Sequence, residues 1–111
     1  MKKRGDGWGS PKMPVRIEWH PAAINDVAAF DNAVQLRIRK ALRDLSQLDD
    51  ARDRLLPYTG NLKGLWKLRT GDHRLVCRLV ERDGRAILIV YAAHRSVAYG
   101  PRGERTILTR R

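Results

Sequence analysis

Two dipeptides constrain this chain more than any other feature. Gly71-Asp72 and Asp83-Gly84 each interrupt a run in which apolar residues alternate with charged ones. A glycine at the first central position suits a type II′ hairpin turn, and Asp-Gly suits type I′. Two such turns predict three antiparallel strands at residues 65–69, 73–81 and 85–93, and they set the register in which those strands pair. With Gly71-Asp72 as the loop, Thr70 pairs His73, Arg69 pairs Arg74, Leu68 pairs Leu75 and Lys67 pairs Val76. With Asp83-Gly84 as the loop, Arg82 pairs Arg85, and Arg74 lies opposite Ala93. The last strand, RAILIVYAA, is almost wholly apolar, as expected of a central strand covered on both faces.

Alternation then sorts the side chains. Lys67, Arg69, Arg74, Arg78 and, if the strand runs on, Arg95 share one face. Trp66, Leu68, Leu75, Cys77 and Leu79 take the other. Like charges directly opposite one another weaken a sheet, so Arg69 facing Arg74 is a cost with only Asp72 nearby to balance it. If the face is merely solvated, that cost is on the order of tenths of a kcal/mol. The competing reading is that an anion fills the gap, and the charge distribution favours it. The net charge is +11; residues 61–111 carry 12 basic and 4 acidic side chains, whereas residues 21–60 carry six of each. A positive charge held in one region points to a polyanion or an acidic protein as partner.

Upstream, the apolar period is helical rather than alternating. VRIEW (15–19) reads as a half-buried strand, and His20-Pro21 opens a helix because proline is tolerated at its first position. Ala23, Val27 and Phe30 form its buried face. Asp31 or Asn32 caps a second helix, along which Val34, Ile38, Leu42 and Leu45 make one apolar stripe. The short link predicts an antiparallel helix hairpin. Residues 49–64 are a connection with one helical turn near 50–56. The fold class is therefore α+β: a helical hairpin packed on a small antiparallel β-sheet, in the order β-α-α-β-β-β.

The segments divide as a flexible basic arm (1–14), one folded domain (15–99) and a basic tail (100–111). The single cysteine, Cys77, can form neither an internal disulfide nor a zinc site, and in its apolar run it reads as a small buried hydrophobe. No acidic cluster suggests a metal, and no cofactor is expected. The absence of an apolar span long enough for a membrane leaves the cytoplasm as the expected location. A basic sheet face with His94 and Tyr99 at its rim is equipment for single-stranded RNA, with cations for phosphates and an aromatic for a base.

The stretch GNLKGLWKLRTGDHRLVCRLVERDGRAILIVYAAHRSVAYG (60–100) resembles the RelE/ParE toxins of bacterial type II toxin–antitoxin systems. The resemblance rests on Leu62-Lys63-Gly64, Lys67-Leu68-Arg69, Gly71 and Arg74-Leu75-Val76, and on the ending His94-Arg95 with Tyr99. It implies a RelE-like, ribosome-dependent mRNA endonuclease that acts without a metal and inhibits translation. The 2′-hydroxyl would attack the adjacent phosphate and leave a cyclic phosphate. Lys67 would position or deprotonate that hydroxyl, and Arg74 would stabilise the phosphorane. His94 would protonate the leaving group, Arg95 would contact phosphate and Tyr99 would stack on a base. Lys63, Arg69 and Arg78 would bind RNA. Leu65 stands where ribosome-dependent members often have a second lysine. The implied partners are the ribosome, mRNA and an acidic antitoxin from a neighbouring gene, forming a hetero-oligomer. Two other readings stay open: a ParE-like DNA gyrase inhibitor, and an inactive nucleic-acid-binding relative.

Overall fold

The structure, a computed structural model, describes residues 15–81 and 83–111. The proposed arm (1–14) and the expected partner of Arg85, Arg82, lie outside the described residues. Strand β1 (Val15–Trp19) leads into helix α1 (Pro21–Ala28) and helix α2 (Asn32–Ser46). Proline occupies the first turn of α1, and His20 Nδ1 accepts a 3.0 Å hydrogen bond from the Ala22 amide. The α2 stripe faces inward as its spacing requires, with Ile38, Leu42 and Leu45 buried. The connection that follows holds one 3-10 turn (Ala51–Asp53), a two-residue strand β2 (Leu56–Pro57) and a second 3-10 turn (Gly60–Leu62).

Strands β3 (Trp66–Thr70), β4 (His73–Glu81) and β5 (Arg85–His94) form the expected meander. The sheet order is β1-β5-β4-β3-β2. It is antiparallel from β2 to β5, but β1 joins β5 in parallel, with Val15 opposite Arg85 and Trp19 opposite Ile89. Helices α1 and α2 lie between these two strands in sequence, so their crossover permits a parallel pairing that no tight turn could make. β5 is thus central, as its composition required.

The first hairpin has the predicted register, Thr70 opposite His73 and Arg69 opposite Arg74, and Gly71 adopts the φ of +60° that the turn demands. The second hairpin corrects the sequence reading by one residue: Arg85 faces Glu81. A β-bulge then restores the register. Val76 pairs Tyr91 and Cys77 pairs Ile89, leaving Val90 as an extra residue, so Arg74 reaches Ala93 after all.

The bulge also sets which side chains are covered. Leu68, Leu75, Cys77, Ile87, Ile89 and Ala92 meet the α1–α2 hairpin, with Trp66 and Leu79 packed against them. Val76, Val90, Tyr91 and Ala93 meet a second apolar cluster on the opposite face. What covers that cluster is the segment expected to be a tail. It follows α3 (Arg95–Ala98), which ends the expected domain, and forms α4 (Pro101–Arg110), with Ile107 fully buried. Pro101 starts α4, and burying one isoleucine is worth roughly 1.5–3 kcal/mol, enough to hold so short a helix against the sheet. Gly103 allows the close approach, since a Cβ there would lie 2.7 Å from the Val97 carbonyl oxygen and 2.9 Å from that of Ala98.

Because β1 is half the length of β5, the far half of β5 is paired with β4 but lacks a strand neighbour on its β1 side. Asp26 of α1 fills the gap, its Oδ2 accepting from the Ala92 amide at 3.1 Å. Arg110 of α4 donates to Asp26 Oδ2 at 2.7 Å and to the Val90 carbonyl at 3.0 Å. One ion pair thereby ties both helices to the bulged stretch. No described helix is long and apolar enough to cross a membrane.

Candidate functional site

The site lies where α3 leaves the end of β5 and crosses over the β3–β4 hairpin. His94 ends β5 and caps α3, its Nδ1 accepting from the Ser96 amide at 3.1 Å. That short turn delivers Tyr99 onto the cation-bearing face. The phenol oxygen of Tyr99 accepts from Arg74 Nε at 2.8 Å and from Lys67 Nζ at 3.3 Å, and the same ammonium lies 4.7 Å from the ring centroid. Three residues separated by up to 32 positions in sequence thus converge on one point.

Arg74 is held unusually firmly for a cation. It is only 9% exposed, and its Nη1 donates to the carbonyls of Gly71 and His73, both at 2.9 Å. No carboxylate among the described residues pairs with it, and its Nη2 makes no hydrogen bond to any of them. The result is a pre-oriented guanidinium whose charge is left for something else to neutralise. Tyr99 responds to this field: its pKa is lowered from the ordinary phenol value, first by the Arg74 hydrogen bond and further by Lys67, against a smaller opposing effect of burial.

The other expected site residues are placed differently. Arg69 faces Arg74 across the hairpin and is exposed. Arg78 is exposed farther along β4, opposite Leu88. Arg95 turns to the hairpin loop, its amide donating to the Asp72 carbonyl at 2.8 Å and its Nε lying 3.7 Å from the Asp72 carboxylate. Both side chains of that pair are more than 60% exposed, so it contributes little stability. Lys63 is exposed beside the chain end, where its carbonyl accepts from Arg111. The contacts of His94 are with Ser96 and with the His73 ring, 5.3 Å away and edge-on, rather than with Lys67, Arg74 or Tyr99. His73 in turn packs on Phe30 at 4.6 Å, and burial, with His94 as neighbour, lowers its pKa.

Two residues near the site carried no sequence signal. The Tyr58 ring lies 5.6 Å from Lys67 Nζ, and Glu104 of α4 shares a cavity of about 260 Å³ with Tyr58 and Tyr99. Tyr58 sits in an aperiodic connection and Glu104 in the presumed tail, so neither belonged to a pattern that could be placed. Leu65, at the position of the second lysine, is 1% exposed within the second cluster. Cys77 is fully buried, and burial pushes its thiol to about 12, consistent with a packing role. A larger apolar cavity of about 590 Å³ between α1, α2 and β1, lined by Ile17, Trp19, Ile24 and Ile38 among others, contains none of the site residues. No group of three or more potential metal ligands occurs among the described residues.

Residues 17–99 match the family of ParE toxins of type II toxin–antitoxin systems, parDE. No curated protein matches the chain significantly. Among solved structures, the RelBE2 toxin–antitoxin complex of Mycobacterium tuberculosis aligns with a TM-score of 0.67 at 20% identity, covering 78% of this chain and 98% of that one. A free double mutant of Escherichia coli RelE aligns with a TM-score of 0.65 at 14% identity, covering 88% and 98% respectively. The archaeal RelE–RelB complex of Pyrococcus horikoshii gives 0.58 at 23% identity, covering 78% and 100%. At such identities these likenesses are of fold, and the family match carries the assignment: the chain belongs to the RelE/ParE superfamily and is a toxin of a type II toxin–antitoxin system.

Proposed function

We propose that this toxin is a ribosome-dependent mRNA endonuclease whose centre is Lys67, Arg74 and Tyr99. The observation that carries the reading is Arg74 itself. A buried, carbonyl-pinned guanidinium with no carboxylate partner is an expensive arrangement for a structural role, and it suits a phosphate whose charge grows in the transition state. In this reading the RNA 2′-hydroxyl attacks phosphorus, the bond to the 5′-oxygen breaks, and a 2′,3′-cyclic phosphate remains. Lys67 and Tyr99, joined by their hydrogen bond, act as one proton-accepting pair, and the lowered phenol pKa favours Tyr99 as the acceptor. Arg95 and the exposed Arg69, Arg78 and Lys63 steer the RNA backbone toward this centre. His94 supports the site by capping α3, and in its imidazolium form, with Nδ1–H turned to the Ser96 hydroxyl, it would protonate the leaving oxygen through Nε2.

The partner in the cell would be an acidic antitoxin encoded next to the toxin, forming a hetero-oligomer that neutralises the basic rim. Relatives solved as toxin–antitoxin complexes support that expectation.

The test is to program ribosomes with mRNA and map new 5′ ends. Wild type is expected to cut in a ribosome-dependent manner, and Arg74→Ala to lose about 100- to 1,000-fold in rate, the usual cost of removing a fixed transition-state donor. The rate should rise with pH as Tyr99 deprotonates, and Tyr99→Phe should flatten that limb. The resemblance also carries a second reading, inhibition of DNA gyrase through the same basic rim. Loss of supercoiling activity with intact mRNA would decide for that reading. Absence of both activities would leave an inactive relative, for which the buried Leu65 in place of a second lysine is the structural reason.

A further inference from the structure

Tyr99 reaches Lys67 and Arg74 because α3 turns the chain back over the hairpin, and α3 is only four residues long. A helix so short is not stable through its own hydrogen bonds, so its entry has to be held from outside. It is held by the His94 cap on the Ser96 amide and by the Arg95 amide, which donates to the Asp72 carbonyl at 2.8 Å. His94 is exposed at the end of β5, where an imidazole without neighbours would turn off its cap. It has a neighbour. His73, its cross-strand partner, stands edge-on to it at 5.3 Å and packs on the Phe30 ring at 4.6 Å. Phe30 is fixed in turn: its carbonyl accepts from Gln35 Nε2 at 2.9 Å, and its amide donates to the Val27 carbonyl at 3.0 Å. Phe30, His73 and His94 thus form a line of rings from the α1–α2 link to the cap of α3.

From this geometry we propose that His73 is a positioning residue for Tyr99, acting through the tilt of the His94 ring. This deepens the endonuclease reading and rests on it for the catalytic consequence. Any apolar side chain could fill the space beside Phe30, but an edge-on contact that fixes two ring planes needs a ring. Burial and the neighbouring His94, with Arg37 of α2 and Arg74 of β4, favour the neutral form of His73 against the pull of Asp72 in the turn. His73 therefore meets His94 as a ring and not as a second cation. Without it, His94 turns off the Ser96 amide, α3 loosens, and Tyr99 leaves Arg74 and Lys67. The phenol itself reports that departure. Of the three tyrosines, Tyr99 has a lowered pKa, owed first to the Arg74 hydrogen bond, whereas burial raises those of Tyr58 and Tyr91.

The test follows the phenols by NMR of isotope-labelled tyrosine Cζ carbons through a pH titration, beside mRNA cleavage on programmed ribosomes. In wild type one signal should titrate below the ordinary phenol value of about 10, and it should be missing from Tyr99→Phe. His73→Leu fills the space without a ring and should move that titration up to about 10. It should also lower kcat by about 10- to 100-fold with a smaller change in KM, the mark of a misplaced group. His73→Phe keeps the ring and should leave the titration in place. In the His94→Asn background, where the cap survives without a ring, His73→Leu should move the phenol no further. A Tyr99 titration that His73→Leu leaves unmoved would overturn the proposal. So would equal movement by His73→Phe, or the same movement with His94→Asn as without it. If no form cuts mRNA, the endonuclease reading fails, while the phenol titration still decides whether His73 positions Tyr99.

Discussion

On the hairpin face of the sheet, a cluster of buried residues draws on β1, α1, α2, β3, β4 and β5 and includes Ile38, Leu45, Leu75 and Ile87 at 1% exposure or less. On the opposite face the cluster is smaller, and α4 contributes a single fully buried side chain, Ile107. The first face is redundant: losing one contact leaves many others in place. The attachment of α4 to the second rests on one isoleucine, one glycine and one ion pair, and that layer borders the cluster of Lys67, Arg74 and Tyr99. The cluster of Lys67, Arg74 and Tyr99 thus lies beside the less heavily packed layer, where the turn before α4 carries Tyr99.

The widest separation between the faces should appear in core truncations. Ile87→Ala should cost about 3–5 kcal/mol in global stability, measured by denaturant unfolding, because the site is enclosed and cannot collapse. Ile107→Ala should cost less, about 2–3 kcal/mol, and should speed hydrogen exchange selectively in α3 and α4. Uniform exchange changes across both faces would contradict the division drawn here.

The ion pair gives a smaller effect. Asp26 and Arg110 are only 19% and 15% exposed, so Asp26→Asn, which leaves Arg110 without its countercharge, should cost about 2 kcal/mol. A double-mutant cycle with Arg110→Met should show coupling. Additive losses would mean that the two residues do not staple α4 to α1.

A pH dependence sharpens the comparison from the hairpin side. Burial and the neighbouring His94 lower the pKa of His73 below its ordinary 6.5, so the folded state favours the neutral ring. Unfolding then lets the ring take up a proton as pH falls. This contribution to stability is complete above about 6.5 and is lost as pH drops toward the lowered folded value. Melting curves between pH 7.5 and 5.5 should fall less steeply for His73→Phe than for wild type. Parallel curves would remove His73 from the account.

Much of the fold was legible because local signals sufficed. The 3.6-residue stripe Val34, Ile38, Leu42, Leu45 needs only α2 itself to declare a buried face, and Gly71 declares its turn by the φ it must adopt. The pairing of Arg69 with Arg74 followed from that turn alone. The second hairpin was harder, since the bulge at Val90 arises from competition between two covered faces and leaves no mark in an all-apolar strand. The helical state of α4 was equally hidden, because a segment with arginines at 102, 105, 110 and 111 looks solvated until the sheet offers Ile107 a place.

The sequence by itself determined the α+β class, the three-strand meander, the family and the cations available for chemistry, all of which are written in spacing and in residue type. Only the tertiary structure decided which cations work together. Lys67 and Arg74 share a face with Arg69 and Arg78, yet only the first two meet Tyr99, because α3 crosses the sheet at one place. The parallel addition of β1, the Asp26–Arg110 tie and the company of Tyr58 with Glu104 are likewise decided by where distant segments land, and no local pattern encodes that.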